Sequence, residues 1–341
     1  MEGIGYRWLA GSAGSLLALG LVACAGAGTE DCAAPDPAQE ELEGVLAHVR
    51  VLADDALEGR GVASRGERCA GEYIADWFES LGLEPAGEAG TYFQTFPVRT
   101  GSRIPAPATL QISPGPGEGG NPFAPDTADW RPYGFSGSGE VRAPLAWVGG
   151  VVPATLEGRV AVLGATPTEV PEGALEADPH YRATVALGRG AVGVIFLLGE
   201  GESLPDLANE DRPFVAAPVL AVAGEAAEAV RRAALEEGAA ASLSVQVEPA
   251  LSPARNVVAR LAGADPARAG EVVVVGAHYD HLGWGGGSSL APGVREIHNG
   301  ADDNASGTAA LLEVAAALTA GPRPERPVLF VAFSGEERGL L

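Results

Sequence analysis

Apolar positions along the chain fall into a short N-terminal block, two helical stretches and then a series of strand-length runs. From Trp8 to Ala23 the residues are apolar or small, and the block ends at Cys24, as in the hydrophobic region and cleavage site of an export signal. From Glu40 the pattern turns helical, with Leu42, Val45, Leu46, Val49 and Leu52 repeating on one face. A second helix is expected over residues 67–81, with Ala70, Tyr73, Ile74, Trp77 and Phe78 on its apolar side and Gly82 as its stop. Residues 92–98 and 108–112 read as strands.

Residues 113–122 are too rich in Gly and Pro to hold regular structure, which predicts a domain boundary. Strands are then expected at 145–148, 159–163, 194–198 and 218–222. A helix carrying Ala183, Val185, Ala186 and Leu187 and an Ala-rich helix over 225–237 separate them. Further on, 256–261 reads as a strand. The β-branched run 271–277 has the composition of a strand buried on both faces of a parallel sheet. A helix with Ala310, Leu311, Val314, Ala315 and Leu318 closes at Gly321-Pro322, and the buried strand 328–333 follows. Alternating strands and helices make this an α/β chain.

Its 341 residues suggest two domains plus a targeting segment, and a 46% hydrophobic against 20% charged composition excludes a largely disordered chain. A net charge of -23, with arginine supplying all 22 basic residues, argues against a nucleic-acid partner, because neutralising phosphates needs concentrated positive charge. After residue 25 no stretch is long and apolar enough to cross a bilayer, so a membrane is reached only through the N-terminus. There, Leu21-Val22-Ala23-Cys24 resembles the lipobox of bacterial lipoproteins. That resemblance implies lipidation of Cys24, with residues 25–37 as a tether and the cell envelope as location. Ordinary cleavage among the small residues 23–27, giving a secreted protein, is the alternative. Cys32 and Cys69 remain, and an oxidising compartment lets them pair. Otherwise Cys69 is a small buried apolar residue.

The candidate chemistry lies beyond residue 255. The run 271–277 ends in His278-Tyr279-Asp280-His281 and the strand 328–333 ends in Ser334-Gly335-Glu336-Glu337. In open α/β sheets, sites form beyond the carboxyl ends of strands, and parallel strands bring both polar tips to one edge. Between them, the segment from Asn299 to Gly307 opens a helix with Asp302 and Asp303 at its mouth. Histidine with carboxylates is the mixed nitrogen and oxygen donor set that suits Zn²⁺. Adjacent residues of an extended backbone point opposite ways, so of Glu336 and Glu337 one coordinates and the other faces a water. His281 and His298 read as loop or rim residues first and as substrate contacts second, Trp284 lies near the motifs without a ligand role, Asp302 reads as a local hydrogen-bonding partner, and His180 as a solvated histidine in a loop-like segment.

His278-Tyr279-Asp280, the Gly300–Gly307 segment with Asp302-Asp303-Asn304, and Glu336-Glu337-Arg338-Gly339 resemble, in order, the motifs of the M28 family of zinc peptidases. The stretch from Leu52 to Gly61 and the helix ending in Leu81-Gly82-Leu83 resemble that family's N-terminal region. The resemblance implies that His278 binds one zinc, Asp303 bridges two, Glu337 binds the other, Glu336 is the general base and Asp280 orients His278. It also implies a cis peptide between Asp303 and Asn304. Residues 156–162, 190–196 and 217–220 resemble the protease-associated domain found in many exported peptidases. The expected division is thus a signal peptide with lipobox over 1–24, the tether, the peptidase N-terminal part over 38–112, the inserted domain over 113–252 and the metal-site half over 253–341. The fold implied is a zinc-peptidase α/β fold, with a mixed, largely parallel sheet and helices on both faces. The activity implied is removal of N-terminal residues from peptides through a water activated by two zinc ions. The family's remaining Asp and His ligands lie past the Glu-Glu pair, so a chain ending at Leu341 is expected to be a truncated, inactive fragment. A non-catalytic lipoprotein binding module and glutaminyl-cyclase-like acyl transfer are the alternatives.

Overall fold

The computed structural model describes residue 32 and residues 43–115, 121–149, 152–164, 174–208, 212–285, 289 and 295–339. The expected signal peptide, Cys24 and all of the 25–37 tether except Cys32 lie outside the described residues. Cys32 and Cys69 are both disulfide-bonded. Among the described residues no helix is long and apolar enough to cross a membrane.

Helix α1 (Val45–Leu52) leads into a tight turn at Asp55–Arg60 and then α2 (Arg65–Ser80), capped by Ser64 accepting from Glu67 N. The buried side of α2 carries Cys69, Ala70, Ile74 and Phe78, at the expected helical spacing. In α1 the buried residues are His48, Val51 and Leu52, whereas Leu46 is 65% exposed. The periodicity puts Val45 and Leu46 inward with Leu52, and Leu42 lies outside the described residues. The helix turns instead to bury His48 against α2, where its Nδ1 lies 2.7 Å from the Tyr73 hydroxyl and its ring stands edge-on to Trp77.

Beyond α2 come β1 (Glu84–Pro85) and β2 (Phe93–Arg103), which runs five residues past the expected end at Val98. Then follow β3 (Thr109–Ser113), β4 (Trp130–Pro132), β5 (Gly139–Val148), β6 (Val160–Leu163), α3 (Pro179–Gly188), β7 (Gly193–Leu197), β8 (Val219–Val222), α4 (Gly224–Ala234) and β9 (Ala240–Val245). The chain ends through β10 (Glu248–Leu261), β11 (Val273–His278), α5 (Ser306–Ala320) and β12 (Val328–Phe333).

Two sheets result. Strands β3 to β9 form one of seven, in the order β3-β9-β5-β6-β7-β8-β4, with β5 to β8 parallel. Strands β6, β7 and β8 are buried along their whole length, as continuous apolar runs require when both sheet faces are covered. One core gathers Val160, Val162, Ile195 and Leu220 with Ala227 and Val230 of α4. The other gathers Ala161, Val194, Phe196 and Phe135 with Ala183 and Ala186 of α3. Strand β3 pairs with β9, so the passage between sheets falls after Arg103 and before Glu248. The long antiparallel pair of β2 with β10 belongs to the second sheet, and the chain enters and leaves the first sheet from its end at Arg103 and Glu248.

The second sheet has the order β1-β10-β12-β11, with β2 also on β10. It is mixed: β11 and β12 run parallel and the other described pairs antiparallel. Helix α5 packs on β11 and β12, α2 on β10, and the two helices adjoin. Strand β11 differs from expectation. Its β-branched run suggested burial on both faces, yet Val273 is 45% and Val274 57% exposed. The physical reason is its edge position: among the described residues its only ladder partner is β12.

Candidate metal centre

Parallel pairing sets the site. His278, the last residue of β11, lies opposite Phe333, the last of β12, and Tyr279 N donates to Phe333 O at 2.9 Å. The two polar tips, Tyr279-Asp280-His281 and Ser334-Gly335-Glu336-Glu337, therefore leave the sheet side by side. Gly335 has a φ of 87°, the left-handed conformation that turns the chain back after β12 and that glycine adopts at no steric cost.

Asp280 joins the tips. Its carboxylate is fully buried and accepts from Glu336 N on one oxygen and Glu337 N on the other, at 3.3 Å each. The same residue faces His278, whose Nδ1 lies 3.2 Å from Asp280 O and 3.7 Å from Asp280 Oδ1. Hydrogen bonding to Asp280 raises the His278 pKa against the opposing effect of burial. With Nδ1 turned to Asp280, the other nitrogen points outward, 3.2 Å from Asp303 Oδ1. Thr308, on the first turn of α5, donates to His278 O at 2.8 Å and so ties the helix to the strand tip.

Asp303 comes from the turn Ala301–Ala305 that opens α5. The peptide bond between Asp303 and Asn304 is cis, the isomer implied by the motif resemblance. The Asn304 side chain accepts from Gly307 N at 3.0 Å, which caps the helix start. His281 Nδ1 lies 2.6 Å from Glu337 Oε1. Donor atoms of His281, Asp303 and Glu337 all lie within 4.8 Å of one another, the one such cluster among the described residues.

The structure thus brings His278 to Asp303, and Asp303 to Glu337, with Asp280 beneath and Glu336 on the same turn. It also adds His281, which the sequence reading left at the rim. The signal available was its place directly after Asp280 on the same strand tip. His298 stays at the periphery, with Nε2 3.4 Å from Ser289 Oγ and its ring 6.5 Å from that of His281. Asp302 contributes its carbonyl, which accepts from Ser306 Oγ at 2.8 Å. Trp284 is half-exposed, with the Arg295 guanidinium 5.6 Å from its ring. His180 sits on α3 with Nε2 3.0 Å from Pro213 O.

A second layer of polar groups supports the strand tip. The buried Tyr279 hydroxyl lies 2.7 Å from Glu67 Oε1 and 2.6 Å from Arg255 O. Burial raises the Glu67 pKa, with the hydrogen bonds to Tyr279, Ser334 and the Arg255 backbone opposing.

Two imidazoles and two carboxylates converging on one mouth are a donor set that fits zinc, which takes nitrogen and oxygen ligands together. Residues 256–341, which carry all of them, match the model of peptidase family M28. Among solved structures, the chain is similar to BSAP, a zinc aminopeptidase from Bacillus subtilis, at 21% identity and a TM-score of 0.43, over 87% of this chain and 62% of that one. It is similar to an aminopeptidase from Aneurinibacillus sp. strain AM-1 at 21% identity and a TM-score of 0.41, over 86% and 63%. A peptidase M28 precursor from Shewanella amazonensis SB2B gives 19% identity and a TM-score of 0.36, over 86% and 64%. The chain therefore spans less than two thirds of the length of these solved structures. No curated protein sequence matches it.

Proposed function

We propose that the protein is an exported zinc-dependent exopeptidase of the M28 type, acting as an aminopeptidase on peptides. The observation that carries the reading is the convergence of His278, Asp303 and Glu337 at the ends of two parallel strands, with Glu336 beside them, inside the segment that matches the family.

His278, Asp303 and Glu337 would hold two zinc ions, with Asp303 shared, since it adjoins both His278 and the Glu337 cluster. The group these residues would hold would supply Lewis acidity toward a peptide carbonyl and an attacking water. Glu336 accepts the proton of the attacking water and returns it to the departing amine. Asp280 keeps Glu336 and Glu337 in place through their backbone N–H groups and holds His278 with Nε2 facing out. His281 hydrogen-bonds Glu337 and fixes how its carboxylate is turned.

Export and lipid anchoring at Cys24 belong to the same proposal. Its support is the Leu21-Val22-Ala23-Cys24 tetrad and the disulfide-bonded state of Cys32 and Cys69, which suits an oxidising compartment. The seven-stranded unit is assigned as a protease-associated insert.

The test measures zinc content and hydrolysis of aminoacyl anilides side by side on the full-length gene product and two variants of it. Glu336→Gln should retain zinc while turnover falls by about 10²- to 10⁴-fold, because the amide keeps the shape but takes no proton. Asp303→Asn should lose zinc, since a neutral amide does not offset two dications. Near-normal turnover in Glu336→Gln, or full zinc in Asp303→Asn, would overturn these roles.

A further inference from the structure

The turn between α1 and α2 contains Arg60, one of the largest fully buried side chains in the described structure. Among the described residues no carboxylate pairs with it directly. Its guanidinium instead donates to four backbone carbonyls: Nε to Tyr279 O at 2.7 Å, NH1 to Leu52 O and to Asn299 O at 2.7 Å, and NH2 to Gly300 O at 2.9 Å. Tyr279 O lies between His278 and Asp280 on one ligand-bearing tip. Asn299 and Gly300 lead directly into the turn that bears Asp303. One rigid, planar fork therefore spans the two segments whose separation sets the distance from His278 to Asp303.

The backbone around Arg60 is built for this placement. Glu58, Gly59 and Arg60 have φ of 50°, 65° and 50°, three successive left-handed residues, two of which carry a side chain that disfavours the conformation. A Cβ on Gly59 would come within 2.4 Å of His298 O and 2.6 Å of Gly283 O, so only glycine lets the turn thread between those loops. Arg60 O accepts from His281 N at 3.1 Å and Gly59 O from Gly283 N at 3.0 Å. The Asn299 side chain reaches back to Ala53 O at 2.9 Å and Asp55 Oδ1 at 2.7 Å. Burial lowers the Arg60 pKa to about 10, with Asp280, Asp303 and Glu337 opposing the shift, so the group stays charged at neutral pH.

We propose that Arg60 is a positioning residue of the metal centre, its guanidinium holding the His278–Asp280 tip and the Asn299–Asp303 turn at the spacing that lets His278 and Asp303 face one site. The proposal rests on the metal-centre reading above. Lysine cannot replace this function: its donors radiate from one atom, whereas the guanidinium distributes five across a fixed plane.

The test uses the full chain. Zinc affinity is measured by competition with a chromophoric chelator, ligand geometry by the visible bands of the cobalt(II)-loaded protein, and fold by circular dichroism after chelator treatment. Arg60→Lys and Arg60→Ala should keep native circular dichroism, bind zinc about 10- to 100-fold more weakly and shift the cobalt bands, as expected when a group that orients metal ligands is lost. Low-millimolar ethylguanidinium should restore affinity and bands to Arg60→Ala and leave Arg60→Lys unchanged. If Arg60→Ala does not fold, Arg60→Lys, which keeps charge and length, decides by the same readouts. Wild-type affinity and bands in a folded Arg60→Lys would overturn the positioning role and leave the metal centre standing. A wild-type chain that binds neither zinc nor cobalt would overturn both. Loss of fold in both variants, without rescue, would make Arg60 a residue of folding and overturn the proposal.

Discussion

At the scale of single residues, the site depends most on Asp280, a carboxylate that binds nothing from outside and holds everything near it. Each of its oxygens accepts one backbone N–H from the Glu336-Glu337 pair, and His278 lies against it. Asn at this position keeps one acceptor and turns an NH₂ toward the other N–H, leaving buried donors opposed. Asp280→Asn should therefore destabilise the chain by about 1–3 kcal/mol, the cost of an unsatisfied buried polar group. Zinc affinity should fall by about 10- to 100-fold. Urea unfolding and zinc titration of the same preparation check the two effects. The segments that bear His278 and Asp280, Asp303, and Glu336 and Glu337 were legible in the sequence because each follows or opens an apolar run, while the choice of residues within them came from the resemblance to M28 peptidases. His281 was less so: its place directly after Asp280 was the only local signal, and the partner that draws it into the site, Glu337, comes 56 residues later.

At the scale of elements, α1 is held by a polar contact inside an apolar interface. Tyr73 and Trp77 of α2 and Glu313 of α5 face His48, with His48 Nε2 3.3 Å from Glu313 Oε1. Burial lowers the His48 pKa below its ordinary 6.5, with Glu313 opposing. The unfolded chain then binds the proton more readily than the folded one. Stability from this group is complete above pH 6.5 and is lost as pH falls from there through the lowered folded value. Melting of the chelator-treated protein followed between pH values above and below that point should show the loss, and His48→Gln should flatten that part of the profile; an identical profile in both would exclude His48 as its source. The edge strand β11 teaches a related lesson. Its valines fit a buried strand by composition, but burial depends on what lies alongside, and composition does not record that.

At the scale of the whole molecule, one long antiparallel ribbon of the five-stranded sheet carries both chain connections to the seven-stranded sheet. Arg103 of β2 and Glu248 of β10 are register partners, and their side chains pair at 2.6 Å. Everything in the seven-stranded sheet lies between them in sequence. Replacing residues 104–247 with Asn-Gly should close the ribbon as a two-residue hairpin, since that dipeptide suits the turn joining directly paired strands. The five-stranded sheet and the metal-centre residues lie outside the excised segment. The shortened chain should thus fold and bind zinc with affinity within a few-fold of the parent. Circular dichroism and chelator competition check this, and a chain that folds but no longer binds zinc would show that the insert supports the centre.

What the sequence determined by itself is the material written in local order: the apolar face of α2, the fully buried runs of β6, β7 and β8, and the polar tips that follow β11 and β12. These follow from helical and strand periods and from the few residue types that can bind a metal. Only the tertiary structure decided that α1 buries His48, that β3 joins the seven-stranded sheet, that β11 lies at an edge, and that Arg60 reaches carbonyls up to 240 residues away. The physical reason is common to all four. A residue's burial and hydrogen bonding depend on partners that arrive from distant parts of the chain, and a local pattern of apolar and polar positions carries no record of who those partners are.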